Sequence, residues 1–184
     1  MTEYWETKMK ISKIVLILIF ALLLVSCKDA EGSSFDFTLR YNVKGSNMVS
    51  SFNDTLIIDT VEGPKTIEFI LSNEDREKIK DKFLELEIMN EDYTFLKNEH
   101  LKVKPYEENE LIVEIDKEEF RIEWTTNNIP PFRINVTSGS TEAVEGYEED
   151  FEKFKRLLEL KNFIINIVEE SEEFKMLPPQ RGYQ

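Results

Sequence analysis

Cysteine and histidine are almost missing from this chain, which has one of each among 184 residues. One thiol excludes an internal disulfide, and the two together exclude zinc sites built from several histidines or thiolates. His100, in Lys97-Asn98-Glu99-His100, has no sequence pattern pairing it with a nucleophile and reads as a surface histidine. No Gly-x-Ser-x-Gly elbow is present, and Ser138-Gly139-Ser140 reads as a flexible connection. Basic charge is scarce too: 23 Lys and Arg stand against 37 Asp and Glu, a net charge of -14. With no basic stripe and no aromatic-basic platform, nucleic acid finds no binding surface. No cofactor or metal motif is present, and neither is an internal repeat. The one long apolar run, Ile14 to Val25, has twelve residues. As a helix it is about 18 Å long, against the roughly 30 Å of hydrocarbon that a spanning helix crosses.

What that run does have is the pattern of an export signal. Lys8, Lys10 and Lys13 precede it, and Leu24-Val25-Ser26-Cys27 closes it. These four residues resemble the lipobox of bacterial lipoproteins, with Leu24 three before the cysteine and the small Ser26 just before it. The resemblance implies that residues 1–26 are a signal peptide cleaved before Cys27, and that Cys27 carries a diacylglyceryl group on sulfur and is often acylated on its new amino group. A secretory signal with an incidental cysteine is the alternative. Glu3 and Glu6 are unlike a basic signal start, so Met9 is a second candidate for the true start. Two acyl chains anchor stably where one does so only marginally. The expected location is therefore the extracytoplasmic face of the cell membrane, with the membrane as a partner through the lipid anchor.

Residues 1–26 hold three lysines and two glutamates, so their removal takes the charge from -14 to -15. Lys28 to Ser34 reads as a polar tether after the lipidated cysteine, giving a 27–34 linker and a single acidic domain over 35–184. That domain is long enough to bury a core without staples. Phe35, Phe37, Leu39, Tyr41 and Val43 alternate with polar residues, which predicts a one-sided strand. After a turn at Gly45-Ser46-Asn47, Ser51–Val61 and Lys65–Leu71 read as two more strands separated by Gly63-Pro64. Ser72 and Asp75 resemble a capping box with Asp in place of Glu, and Ile79, Phe83 and Leu86 carry a helix through Met89. Glu110–Asp116 and Glu119–Thr125 predict a hairpin, followed by a short strand over Arg133–Val136 and a connection over Thr137–Gly146. A last helix is expected from Glu148 to Glu169, with Phe151, Phe154, Leu158, Ile165 and Val168 as its buried stripe. Four glutamates at its far end favour fraying, and Pro178-Pro179 opens either a flexible tail or a strap. The fold class is α+β: an antiparallel sheet, N-terminal meander plus later hairpin, packed by two main helices. This layout, with Leu71-Ser72-Asn73-Glu74-Asp75 and Met176-Leu177-Pro178, is similar to small lipoproteins of unknown function in low-GC Gram-positive bacteria, a resemblance that implies no activity.

Two surface features are candidates for function. Glu142, Glu145, Glu148, Glu149 and Asp150 offer oxygen ligands, but without an Asp-x-Asp-x-Asp-Gly loop they read as solvated charge. Trp124 to Phe132, Trp-Thr-Thr-Asn-Asn-Ile-Pro-Pro-Phe, joins a strand-end Trp to a rigid Pro-Pro-Phe, so Trp124 and Phe132 are candidate ligand-binding residues, with two core aromatics and a stiffened loop as the alternative. The reading that follows is a non-catalytic binding or interaction module at the cell envelope, its partner an envelope protein or small ligand. The alternatives are a hydrolase with a carboxylate-based site and an inhibitory or structural lipoprotein.

Overall fold

The structure is a computed structural model and describes residues 34–182 except Lys102 and Val136. The segment expected to be a signal peptide, Cys27 and the expected tether up to Ser33 lie outside the described residues.

Phe35–Tyr41 forms β1, in which odd positions are buried and even positions are not, as strict alternation requires of a strand with one wet face. It lies inside a six-stranded sheet of order β4-β3-β2-β1-β5-β6. Every pair is antiparallel. The strands are β2 (Asn47–Ser50), β3 (Thr55–Thr60), β4 (Gly63–Glu68), β5 (Glu108–Ile115) and β6 (Glu118–Thr125). Two long helices, α1 (Asn73–Glu85) and α2 (Glu148–Glu170), supply Ile79, Phe83, Phe154, Leu157, Leu160, Ile164 and Val168 to the core. There they join Phe37, Leu39, Val49, Leu56, Ile58, Leu111, Val113 and Ile122 of the sheet. A two-stranded hairpin of β7 (Phe132–Ile134) and β8 (Thr141–Ala143) stands apart from the main sheet, and the single turn α3 (Glu172–Lys175) follows α2. The α+β class and the antiparallel sheet are as expected.

The expected three-strand meander has four strands. Asn47–Ser50 is buried at all four positions, so it carries no alternation to read. Ser51–Asp54, expected inside a strand, is the turn between β2 and β3, and Asp54 takes a positive φ of 48° there. Gly63-Pro64, expected as a separator, starts β4. Pro64 is tolerated because β4 is an edge strand. Beyond Glu68, Phe69 and Leu71 remain buried as the chain turns toward α1. The connection expected over Thr137–Gly146 contains β8, whose register pairs Ile134 with Thr141 across the turn that holds Ser138-Gly139-Ser140.

Helix α1 ends at Glu85 instead of reaching Met89. Glu87 adopts a φ of 52°, which turns the chain into a 3-10 turn over Ile88–Asn90 that still buries Ile88. At its start only half of a capping box forms. Ser72 Oγ accepts from the Asp75 amide at 3.0 Å, but the Asp75 carboxylate takes the Ser72 hydroxyl proton at 2.7 Å instead of reaching back to the backbone. On α2 Phe151, Phe154 and Val168 are buried as expected, but between them the stripe runs through Leu157, Leu160 and Ile164, and Leu158 and Ile165 are only partly buried. A helix this apolar fits the core in more than one phase, and the sheet and α1 select the one that also buries Lys153 and Lys161 beside carboxylate partners.

Fraying at the end of α2 is forestalled by Ser171. Its hydroxyl donates to Val168 O at 2.7 Å and accepts from the Phe174 amide at 3.2 Å, closing α2 and opening α3 with one side chain. The residues after it form a strap. The Val61 amide donates to Pro179 O at 3.0 Å, and the Arg181 amide to Asp59 O at 3.0 Å. Fully buried Asn47 is the knot beneath it: its Oδ1 accepts from the Asp59 amide at 2.9 Å and its Nδ2 donates to Gln180 Oε1 at 3.0 Å.

Ser72→Ala is expected to cost about 1 kcal/mol in denaturant unfolding. The Ser72 hydroxyl and then Lys78 hold Asp75 below its ordinary value of 3.8. The stabilisation from Asp75 is therefore complete above 3.8 and is lost as pH falls through the depressed value, a loss the alanine variant should show less. Asn47→Ala, which removes both the acceptor of the buried Asp59 amide and the donor to Gln180, should cost about 1–3 kcal/mol.

Candidate binding cleft

The segment between α1 and β5 has to be held without a regular element over most of its length. The Thr125–Asn128 corner at the end of β6 does this. Thr125 donates its amide to Asn128 Oδ1 at 2.6 Å, and Asn128 Nδ2 reaches Asn98 O at 3.1 Å. Asn127 O accepts the His100 and Leu101 amides at 2.8 and 3.1 Å, and its Oδ1 accepts from Val103 at 3.2 Å. Both asparagines are buried because the loop they bind covers them. Trp-Thr-Thr-Asn-Asn is thus a bracket that holds Asn98, His100, Leu101 and Val103.

Fixing that loop leaves a cleft of about 580 Å³ at the end of β1, β5 and β6. Trp124 and Leu96 supply its apolar lining. Arg40, Lys44 and Lys97 meet Glu99, Glu108, Glu110 and Glu123 in its walls, with Asn109, Thr125 and Asn128 among the neutral polar groups. Arg40 Nε lies 3.2 Å from Glu110, and Arg121 engages both Glu110 and Glu123, the latter at 2.9 Å. Lys44 and Lys97 make no ion pair among the described residues, although Lys153, Lys155, Lys161 and Lys175 all do. The cleft thus holds two of the four described lysines that form no ion pair, Lys104 and Lys117 being the others, in a lining that also includes Trp124.

Two buried polar atoms in its walls have no hydrogen-bond partner: Asn109 Oδ1 and Trp124 Nε1. They belong to residues paired in register across β5 and β6. The Asn109 amide nitrogen makes only a long 3.4 Å bond to Trp124 O. Unpaired groups at this depth are costly, so a polar Asn109 is not there for stability.

Of the two sequence candidates, Trp124 lines this cleft, but at 3% exposed it belongs mainly to the core. Phe132 is elsewhere. It is on β7, 36% exposed, and stacks on Phe151 of α2 with centroids 6.1 Å apart. The structure does not bring the two together. Arg40, Lys44, Leu96 and Lys97, which sequence reasoning missed, come from three separate segments, and no local pattern links them. His100 is half-buried with its ring edge-on to Tyr147 at 5.6 Å. In the acidic cluster, Glu148 accepts from the Gly146 amide at 2.8 Å and Glu149 pairs with Lys153 at 2.6 Å, which with Lys153 Nζ donating holds the Glu149 carboxyl below its usual range. Among the described residues no three His, Cys, Asp or Glu are grouped to hold a metal ion.

No known protein-family model matches the chain, and no curated protein matches it.

If Asn109 is kept for the cleft and not for the fold, Asn109→Leu should leave the melting temperature unchanged or raise it, because it removes an orphan acceptor and fills the same space with carbon. Trp124→Phe loses no side-chain hydrogen bond and should destabilise by about 1–3 kcal/mol, through packing alone. A drop from Asn109→Leu exceeding that from Trp124→Phe would contradict this assignment.

Proposed function

We propose that the chain is an exported lipoprotein, held on the extracytoplasmic face of the cell membrane by acyl chains on Cys27, and that it acts there as a non-catalytic binding module. Leu24-Val25-Ser26-Cys27 after a short apolar run carries the first half of this reading. The reading needs a cysteine at that position, and the chain's one cysteine stands there. The cleft around Trp124 supports the second half. Trp124 and Leu96 share it with Lys44 and Lys97, which form no ion pair among the described residues, and two of its carboxylates, Glu110 and Glu123, are engaged by arginines instead of converging on open space. The ligand is accordingly a small molecule or an envelope protein presenting polar and apolar surface together.

In bacteria, Cys27→Ala should release the protein from the membrane fraction or leave it as uncleaved precursor. Mass spectrometry of the unaltered protein should find an N-terminal peptide that begins at Cys27 and bears a diacylglyceryl group. The same peptide without that mass would remove the lipoprotein assignment.

A further inference from the structure

Strand β1 begins at Phe35, paired in register with Ile115 at the far end of β5. The chain therefore enters the sheet at the end that carries the β5–β6 turn at Asp116 and Lys117 and the Ser51–Asp54 turn. The start of α1 is at the same end, since Arg76 Nη1 binds Asp36 at 2.8 Å. Here the Phe69 amide donates to Asp54 O at 2.7 Å, tying together the two segments that carry Phe52 and Ile70. Both are left exposed, at 46% and 66%. The cleft is at the opposite end, beside Arg40, which is about 17 Å further along the strand direction at about 3.3 Å per residue, and Lys44 in the turn beyond it.

We propose that the Phe52–Ile70 end is seated on the lipid surface, so that the cleft points away from the membrane. This rests on the lipidation of Cys27 proposed above. Between Cys27 and Phe35 the chain spans at most about 29 Å, whatever its conformation. Inverting the domain would make the tether run back along the whole sheet and consume most of that length. With the anchor fixed nearby, the second contact is intramolecular, and a patch too weak to bind a membrane alone suffices to orient the domain. Asp54, Glu68 and Asp116 stand on the same end, so the surface it fits is one of uncharged or zwitterionic headgroups, and anionic lipid opposes it.

The test uses the lipidated full chain in phosphatidylcholine vesicles, with a polarity-sensitive fluorophore on one introduced cysteine: Phe52→Cys, Ile70→Cys, or Val61→Cys and Val103→Cys at the cleft end. Labels at 52 and 70 should shift to the blue and be quenched by headgroup-labelled lipid several-fold more than those at 61 and 103. Adding anionic lipid at low salt should shrink the difference. Equal quenching at all four positions, in protein that floats with the vesicles and carries its acyl mass, overturns the seating alone. Absence of the acyl mass and of flotation overturns the lipid anchor, and the seating with it. Phe52→Ser with Ile70→Ser, labelled at 61, keeps the result independent of the bulky label: quenching at 61 should rise, and no change counts against the seating.

Discussion

The pairing of β1 with β5 is the constraint on which the rest of this molecule depends. It joins the four-stranded N-terminal meander to the later hairpin and sets Leu39 opposite Leu111 and Phe37 opposite Val113 on the face that both helices cover. Without it the chain has two small sheets, each with an apolar face too narrow for α2. With it there is one surface wide enough to bury Phe154, Leu157, Leu160 and Ile164, and hydrophobic burial on that surface is the main source of stability in a domain without disulfides.

Polar side chains inside the structure have local tasks that apolar burial cannot perform. Asn47 ties the strap to β3, Asn127 and Asn128 hold a loop that makes few bonds of its own, and Ser171 joins two helices. Each meets the hydrogen-bonding demand of backbone that has left a regular element. Asn109 and Trp124 differ from these. Their unpaired atoms face no such demand, and they coincide with the cleft where Lys44 and Lys97 also lack carboxylate partners. On the binding reading proposed above, stability and binding ask for different residues at this cleft.

The elements most legible in the sequence were those with one wet face. The alternation of β1, the apolar positions of β5 and β6 and the Ser72 cap all survive in the structure because side chains there report directly which side is buried. β2 was missed because both of its faces are covered, and β8 because three residues, two of them exposed, carry no pattern. Along α2 the ends of the stripe, Phe151, Phe154 and Val168, were legible, and its middle was not, since the apolar surface there exceeds what one contact uses. Of the cleft, Trp124 was visible as an aromatic at a strand end. Arg40, Lys44 and Lys97 were not, as their only signal is proximity across the fold.

Local chemistry, by itself, determined the α+β class, the one-sided strands, the helix start at Ser72, the acidic character and the Leu24–Cys27 pattern, all of which depend on near neighbours in the chain. Tertiary structure alone decided the strand order, the phase of α2, the strap over Asn47 and the cleft. These depend on which surfaces meet, and that is settled by the packing of the whole core around the β1–β5 seam, to which residues distant in sequence contribute together.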